Sequence, residues 1–580
     1  MIDGLQLVGQ AVIRKYDQDE NVTNKKIINY DWDNNEVREK RTPNSAERRY
    51  QKTLSKNFTL YADYKKNFND RHDLSVMVGT SHESENYDRF TAKRINFDQQ
   101  ENMSLQLGSA QDQNAWSEGN QWTINSFFSR VNYTFANKYV IEGTIRADGS
   151  SRFDPDHRWG WFPGVNAAWR VGEEGFMKRL GWFEDLKVRA SYGEMGNQSG
   201  IGLYDYIQLI SLSNDYYPFG AGMKGQMATS GNIISTSRTW ETIQTTNVGF
   251  DFSTLNNRLY GSFDYFWKEN KNMLIPKTYP SMLGADAPST NSGHLSIHGW
   301  EISLGWRDQI KDFSYSVRFN ISDAKNKVVD RVGSNLIKLG NNETPTGYPL
   351  NSYFGYEFDG IIQNEQELEA YKSRFSEGGI PGDLSVGDAM YKDLDGDGKL
   401  SVLGDGKEGS GDVKYLGDKN PRYNFGFNLS MAWKGFDLSA FIQGVGRRTM
   451  FLEGESRCPM PEAWYQSAEY WYGKTWTPER TDAQYPAITL KDKRNYNYYV
   501  STNTKFNVAY ARLKNLQFGY TIPQTLTSKA GLQKVRVYFS GEDLFEVHNT
   551  PNGWDPEENS GSITSYPFTR NYSFGINVVF

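Results

Sequence analysis

The last ten residues, NYSFGINVVF, put Tyr572, Phe574, Ile576, Val578 and Phe580 on one side of an extended strand and Asn571, Ser573, Gly575 and Asn577 on the other. A strand over a soluble core could alternate in this way once. Here the pattern recurs along most of the chain, in segments of about the 9–11 residues that cross a bilayer when tilted. Recurrence on that scale leaves few folds open, and the pattern reads as an all-β chain forming a transmembrane antiparallel β-barrel, or most of one.

Composition agrees. The 580 residues have a mean hydropathy of −0.70 and contain no apolar run of the roughly 20 residues that a spanning helix needs. A barrel can be polar on average because only alternate residues meet lipid, while the others line a wet lumen and the loops face water. Aromatics make up 15% of the chain, with 36 Tyr, 33 Phe and 16 Trp, more than one soluble core requires and suited to interfacial girdles. A net charge of −6 offers no general basic surface and argues against a nucleic acid partner. The lone cysteine, Cys458, excludes an internal disulfide. The opening MIDGLQLVGQAVIRKYDQDE lacks the pattern of a signal peptide.

Alternation leaves residues 1–50 unassigned and then begins with Phe58, Leu60, Ala62 and Tyr64, followed across NDRHD by Leu74, Val76 and Val78. Val131, Tyr133 and Phe135 turn through Ala136-Asn137-Lys138 into Tyr139, Ile141, Gly143, Ile145 and Ala147, with Glu142, Thr144, Arg146 and Asp148 on the second face. Charges there would be costly in a dry core and ordinary in a lumen. Further pairs run through Val165/Ala167/Trp169/Val171 and Leu186–Tyr192, Val248–Phe252 and Leu259–Trp267, Trp300–Trp306 and Phe313–Ile321, Phe425–Trp433 and Phe436–Ile442. Leu516–Tyr520, Val535–Phe539 and the terminal strand bring the expectation to roughly fifteen or sixteen strands. Tight turns at 254–257 and 434–435 contrast with long connections at 193–243, 274–298, 323–351 and 447–505. That asymmetry is expected of an outer-membrane barrel, with Phe250, Phe263, Ile302, Phe427 and Ile576 facing lipid and Asp251, Asp264, Glu301, Asn428 and Asn577 facing the lumen.

A collinear set of motifs follows: RADGSSRF from Arg146, then DPDHRWGWFPGVNAAWRVGEEGFMK, LKVRASYGEMGNQSGIGLYDY, GYEFDGIIQ, KDLDGDGKLS, YLGDKNPRYNFGFNLSMAWKGFDLSAFIQG, WTPERTDAQYP, ARLKNLQFGYTIP and VRVYFSGEDLF, ending on Phe580. Together they closely resemble the SusC/RagA-type TonB-dependent transporters of Bacteroidetes outer membranes. The resemblance implies a barrel of about 22 strands plugged by an N-terminal domain. It also implies a SusD-like surface lipoprotein as lid, energy from the TonB complex, outer-membrane lipid around the strands of a Gram-negative cell, and import of an oligosaccharide or oligopeptide without enzymatic activity. Against that pattern the chain shows no signal peptide, TonB box, plug or first few barrel strands. Residues 51–580 are therefore expected to be the C-terminal portion of such a barrel and 1–50 truncated strands and loop, and the final strand alone should leave an open, aggregation-prone edge. The alternative is a secreted β-rich glycan-binding or glycan-cleaving protein.

The sharpest chemical motif is Asp393-Leu394-Asp395-Gly396-Asp397-Gly398-Lys399-Leu400-Ser401, within the acidic loop 382–414. Oxygens at loop positions one, three and five, glycine at six and a backbone carbonyl at seven match the opening of a calcium loop. Asp393, Asp395, Asp397, the Lys399 carbonyl and Ser401 are thus expected to hold a structural calcium. Position twelve is Gly404 in place of a bidentate Glu, so Asp405 or a more distant carboxylate would have to serve. No organic cofactor is expected. Asp148, Ser150, Ser151 and His157 have no nucleophile-elbow context and are read as a polar strand exit. Trp464, Tyr465, Tyr470 and Trp471, in the aromatic loop 453–472, are candidates for stacking on a ligand.

Overall fold

The computed structural model describes residues 3–213, 218–219, 223–224, 227–230, 233–276, 289–331, 340, 344–404, 411–461, 467–489, 492–558, 561, 566 and 568–580. The chain divides into two units, one made of Met1–Ala167, Gly193–Ile243 and Tyr279–Asn291, the other of Ala168–Tyr192, Gln244–Thr278 and Ser292–Phe580. Among the described residues, sixteen long strands carry the architecture. They are β1 (Leu5–Asn24), β2 (Ser45–Phe68), β3 (His72–Ile95), β4 (Gln113–Phe135), β5 (Tyr139–Ser150), β6 (Trp159–Trp169), β7 (Asp185–Asn197) and β8 (Glu241–Thr254), followed by β9 (Leu259–Pro276), β10 (Ser289–Ile310), β11 (Phe313–Asp330), β12 (Arg422–Trp433), β13 (Phe436–Arg447), β14 (Tyr510–Thr521), β15 (Lys534–His548) and β16 (Asn571–Val579).

Strands β1 to β6 of the first unit lie side by side in chain order, as do β8 to β16 of the second. Pairing is antiparallel and long in register: β2 and β3 run without a break from Ser45↔Ile95 to Phe68↔His72. Local chemistry sets the tight ends. Asn69 and Asp70, Ala136 and Asn137, and Lys434 with Gly435 all take positive φ, the geometry a short hairpin connection needs if its twist is to match that of the strands. At Gly435, with φ of 91°, a side chain would also run into the Thr521 carbonyl.

The two faces of the strands differ as the alternation requires. In the first unit Phe58, Leu60, Val131, Ile141 and Ile145 are exposed, and in the second Val188, Val248, Phe250, Leu304, Phe518, Val537, Phe574 and Ile576 are exposed. A water-soluble protein rarely presents so much contiguous apolar surface, whereas lipid requires it. The opposite face is polar and internally paired. Glu142 accepts from the amides of Asn132 (3.3 Å) and Asn166 (3.1 Å) in the first unit. In the second, Arg189 bridges Asp264 (2.5 Å) and Asp251 (3.2 Å), and Arg536 pairs with Asp437. No helix among the described residues is long and apolar enough to cross a membrane.

Residues 1–50, which the alternation left unassigned, hold the whole of β1, paired with β2, and a hairpin of Ile27–Tyr30 with Glu36–Lys40, and two further sequence expectations need correction. Strands of 20 to 24 residues exceed a bilayer crossing, and their water-exposed ends carry charges, as in the Arg48–Asp19 pair, that hide the apolar alternation. Val171 leaves the strand and enters a 3₁₀ turn, Val171–Glu173. β9 and β10 extend well into the connection assigned to 274–298, whose residues 277–288 lie outside the described residues.

The long connections after β11 and β13 fold into layers of their own. Ser352–Tyr356 pairs with Val413–Asp418, and Phe358–Ile361 with Ala389–Tyr391, around a helix, Glu365–Lys372. Asn364 caps that helix by accepting from the Glu367 amide at 2.9 Å, while the Glu367 carboxylate accepts from Gln363 N at 2.9 Å. Tyr371, Tyr391, Ile362 and Tyr496 fill the core beneath, with the hydroxyls of Tyr371 and Tyr496 2.8 Å apart.

Candidate functional site

The acidic loop follows Ala389–Tyr391 and is held by its own backbone. Asp393 accepts from Gly396 N (2.6 Å) and Gly398 N (2.9 Å), and both glycines take positive φ, which lets the chain curl back over the carboxylate. Asp395 accepts from Asp397 N and Asp397 accepts from Lys399 N. One carboxylate oxygen each from Asp393, Asp395 and Asp412 lies within 4.8 Å of the others. Calcium–oxygen bonds of about 2.3–2.6 Å allow ligand oxygens up to about 5 Å apart, so these three fit one ion. Burial, and then the facing acids, raise the carboxyls of Asp395 and Asp412 above the ordinary carboxylate range.

Asp412 is the acid that motif spacing could not identify. It is fully buried and accepts from Leu394 N (2.6 Å) and Ser401 N (2.8 Å), which pins both limbs of the loop. Asp397 lies outside the converging trio, Ser401 Oγ accepts from Gly404 N at 2.7 Å, and Asp405 lies outside the described residues.

The aromatic loop is arranged differently from its sequence reading. Trp464 and Tyr465 lie outside the described residues. Tyr470 and Trp471 are 8% and 3% exposed and join Met450, Leu452, Tyr485, Tyr498 and Trp554 in a buried cluster. Their ring faces are used in packing: Trp471 meets Tyr485 edge-on at 4.9 Å, and the hydroxyls of Tyr470 and Tyr485 lie 2.6 Å apart. Among the described rings of 467–472, Tyr472 is the one left open, at 89% exposure. It lines a cavity with Lys474, Asn552 and Trp554, and the Lys474 ammonium sits 3.5 Å from the centre of the Tyr470 ring. Nothing in the composition of 464–472 separates the packed rings from the open one, because only tertiary contact decides which side each faces.

The polar strand exit forms no triad among the described residues. Asp148 pairs with Arg146 at 2.7 Å and Ser150 Oγ donates to Gln198, so neither engages His157.

Comparison with known proteins decides the family. The family described as TonB dependent receptor-like, beta-barrel, matches residues 10–544. The chain belongs to that family. As a TonB-dependent receptor barrel it is an outer-membrane transmembrane β-barrel. It is 31% identical over 558 residues to TonB-dependent receptor P3 of Formosa agariphila, across 91% of this chain and 52% of that protein. It is 26% identical over 568 residues to TonB-dependent receptor SusC of Bacteroides thetaiotaomicron, across 90% of this chain and 50% of that protein. The chain thus spans about half the length of these curated relatives. Among solved structures, the RagAB peptide transporter shares its fold, with a TM-score of 0.80 at 24% identity over 100% of this chain and 60% of the other.

Proposed function

We propose that this TonB-dependent receptor barrel imports an oligosaccharide or oligopeptide across the outer membrane, with a SusD-like surface lipoprotein as lid and energy from the TonB complex. What carries the reading is the pairing of an exposed apolar strand face with a charged, internally bonded one, in a chain of this family. The folded layers built around Tyr371 and Tyr391 and around Tyr470 and Trp471 supply a surface on the long-connection side where a ligand and a lid would engage. Deleting the gene in its host should abolish growth on one class of polymeric nutrient while leaving growth on its monomers intact. Unchanged growth across glycan and peptide sources would overturn the proposal.

We also propose that the acidic loop holds a structural calcium, supported by the convergence of Asp393, Asp395 and buried Asp412. The ion would neutralise three acids that otherwise repel one another. Protease nicking within 382–414 should rise on chelation and fall when calcium is restored, and Asp395→Ala should remove the difference. Identical nicking with and without chelator would leave the motif an Asp-Gly turn.

A further inference from the structure

The outward row of β10 and β11 changes character at its long-connection end, within the second unit. Ile302 faces Ile321 in register, Trp300 faces Asp323, His298 faces Lys325 and Ser296 faces Lys327, without a break between them. Apolar residues thus give way to a tryptophan and then to cations, the order found at a membrane interface. His298, Lys325 and Lys327 are exposed, and the two lysines enter no ion pair among the described residues. The acids close to them are taken. Asp323 pairs with Arg422, Glu269 engages His294 at 2.5 Å and Ser296 at 2.8 Å, and Asp418 accepts from the Tyr415 hydroxyl at 2.8 Å and Asn420 N at 3.1 Å. The β11–β12 ladder ends at Ser322↔Asn424, and beyond it a cavity of about 360 Å³ opens with His298, Lys325 and Lys327 on its wall.

Height agrees with this position. At about 3.3 Å per residue and a tilt of about 40°, the thirteen residues from the turn at Asp312 to Lys325 climb about 33 Å, and Lys327 lies about 5 Å higher. A hydrocarbon core is about 30 Å thick and each head-group layer about 5–7 Å, so both lysines stand among head groups. In the first unit the outward row of β2 makes the same change. Lys56 follows Phe58 on that row, as far from the turn at Asn69 as Lys325 is from Asp312, and it faces Ile13 and Ser84 in register and enters no ion pair among the described residues. An occupant that touches both the lysines and the apolar row beneath them must be anionic at one end and apolar at the other. A soluble sugar or peptide lacks the second property. Resting on the outward facing of Ile302 and Ile321, we propose that Lys325 and Lys327, with His298 beside them, hold the phosphorylated head group of an outer-leaflet lipid, its acyl chains lying over Ile302 and Ile321.

Native mass spectrometry of the full-length protein, purified from outer membranes and stripped of lipid in detergent, tests this with three probes: lipid A carrying its phosphates, the same lipid A after phosphatase treatment, and inorganic phosphate. The expected result is binding of phosphorylated lipid A about tenfold or more tighter than the dephosphorylated form, with no displacement by excess inorganic phosphate. Lys325→Gln with Lys327→Gln should remove one tightly held lipid per barrel, and Lys325→Arg with Lys327→Arg should keep it. Arg318→Gln takes a cation from the opposite row of the same strand and should leave the count unchanged. Heat-modifiable migration of each variant confirms folding. Equal binding of the two lipids, an unchanged count in the folded double Gln variant, an equal loss in Arg318→Gln, or displacement by inorganic phosphate would each overturn the proposal. A refolding penalty for arginine placed at Ile302 would then leave the facing of the row standing, so the two fail separately.

Discussion

Arg512 shows how single residues hold the long connections to the strands. Its side chain is 2% exposed at the start of β14 and lies 2.5 Å from Asp555 and 2.9 Å from Glu557, in the segment that follows β15. Its removal leaves Asp555 without its cation while Glu557 keeps Lys514 at 3.1 Å, and breaking such a largely buried pair costs up to about 3–5 kcal/mol. Arg512→Ala should therefore lower the melting temperature and open 549–558 to protease, as limited proteolysis with mass mapping would reveal. Glu357 makes a pH-dependent counterpart. Lys392 at 2.7 Å and the contacting Lys414 hold its carboxyl down to about 2, so the folded state favours the charged form. The stabilisation is complete above the ordinary glutamate range and is lost as pH falls through that range toward 2. Hydrogen exchange in 352–361 should quicken over that window, and Glu357→Gln should flatten the dependence. Residues of this kind were poorly legible in sequence. The Asp393–Ser401 motif could be read because its spacing is local, but Asp412 joins it only through the fold, and Tyr470 and Trp471 are distinguished from Tyr472 only by what packs on them.

Individual strands were far more legible, because a period of two survives wherever one face meets lipid and the other does not. All fifteen alternating segments fall on long strands, with Val171 alone overrunning the end of β6, and the sixteenth strand, β1, escaped because its outer half pairs charges instead of apolar side chains. The facing assignments can be tested in the second unit. Ile302 pairs with Ile321 across β10 and β11, Phe319 with Phe427 across β11 and β12, and Val537 with Ile576 across β15 and β16, which aligns the proposed lipid-facing rows. An arginine placed at Ile302 or Phe427 should cost about 2–4 kcal/mol in a refolding titration, and one at Glu301 or Asn428 much less. Equal losses on both faces would reject the assignment.

At the scale of the whole molecule, the arrangement of short and long connections carries a directional consequence. In the second unit the tight turns at Lys311-Asp312 and Lys434-Gly435 lie at one end of their strands, while the layers containing Tyr472 and Glu365–Lys372 follow from the other. In the first unit Asn69-Asp70 closes one end of β2 and β3, and the hairpin bearing the 99% exposed Trp32 follows from the other end of β1. Outer-membrane barrels place short turns in the periplasm and long loops outside. Because the only cysteine, Cys458, is 2% exposed, single reporter thiols can be introduced on a Cys458→Ser background. Cysteine at Trp32 or Tyr472 should react with a membrane-impermeant maleimide on intact cells, whereas cysteine at Asp70, Asp312 or Lys434 should react only after the outer membrane is opened. Labelling of both sets on intact cells, or of the tight-turn set alone, would invert or abolish this orientation, and with it the placement of the acidic loop on the side from which a ligand arrives and of Lys325 and Lys327 in the outer leaflet.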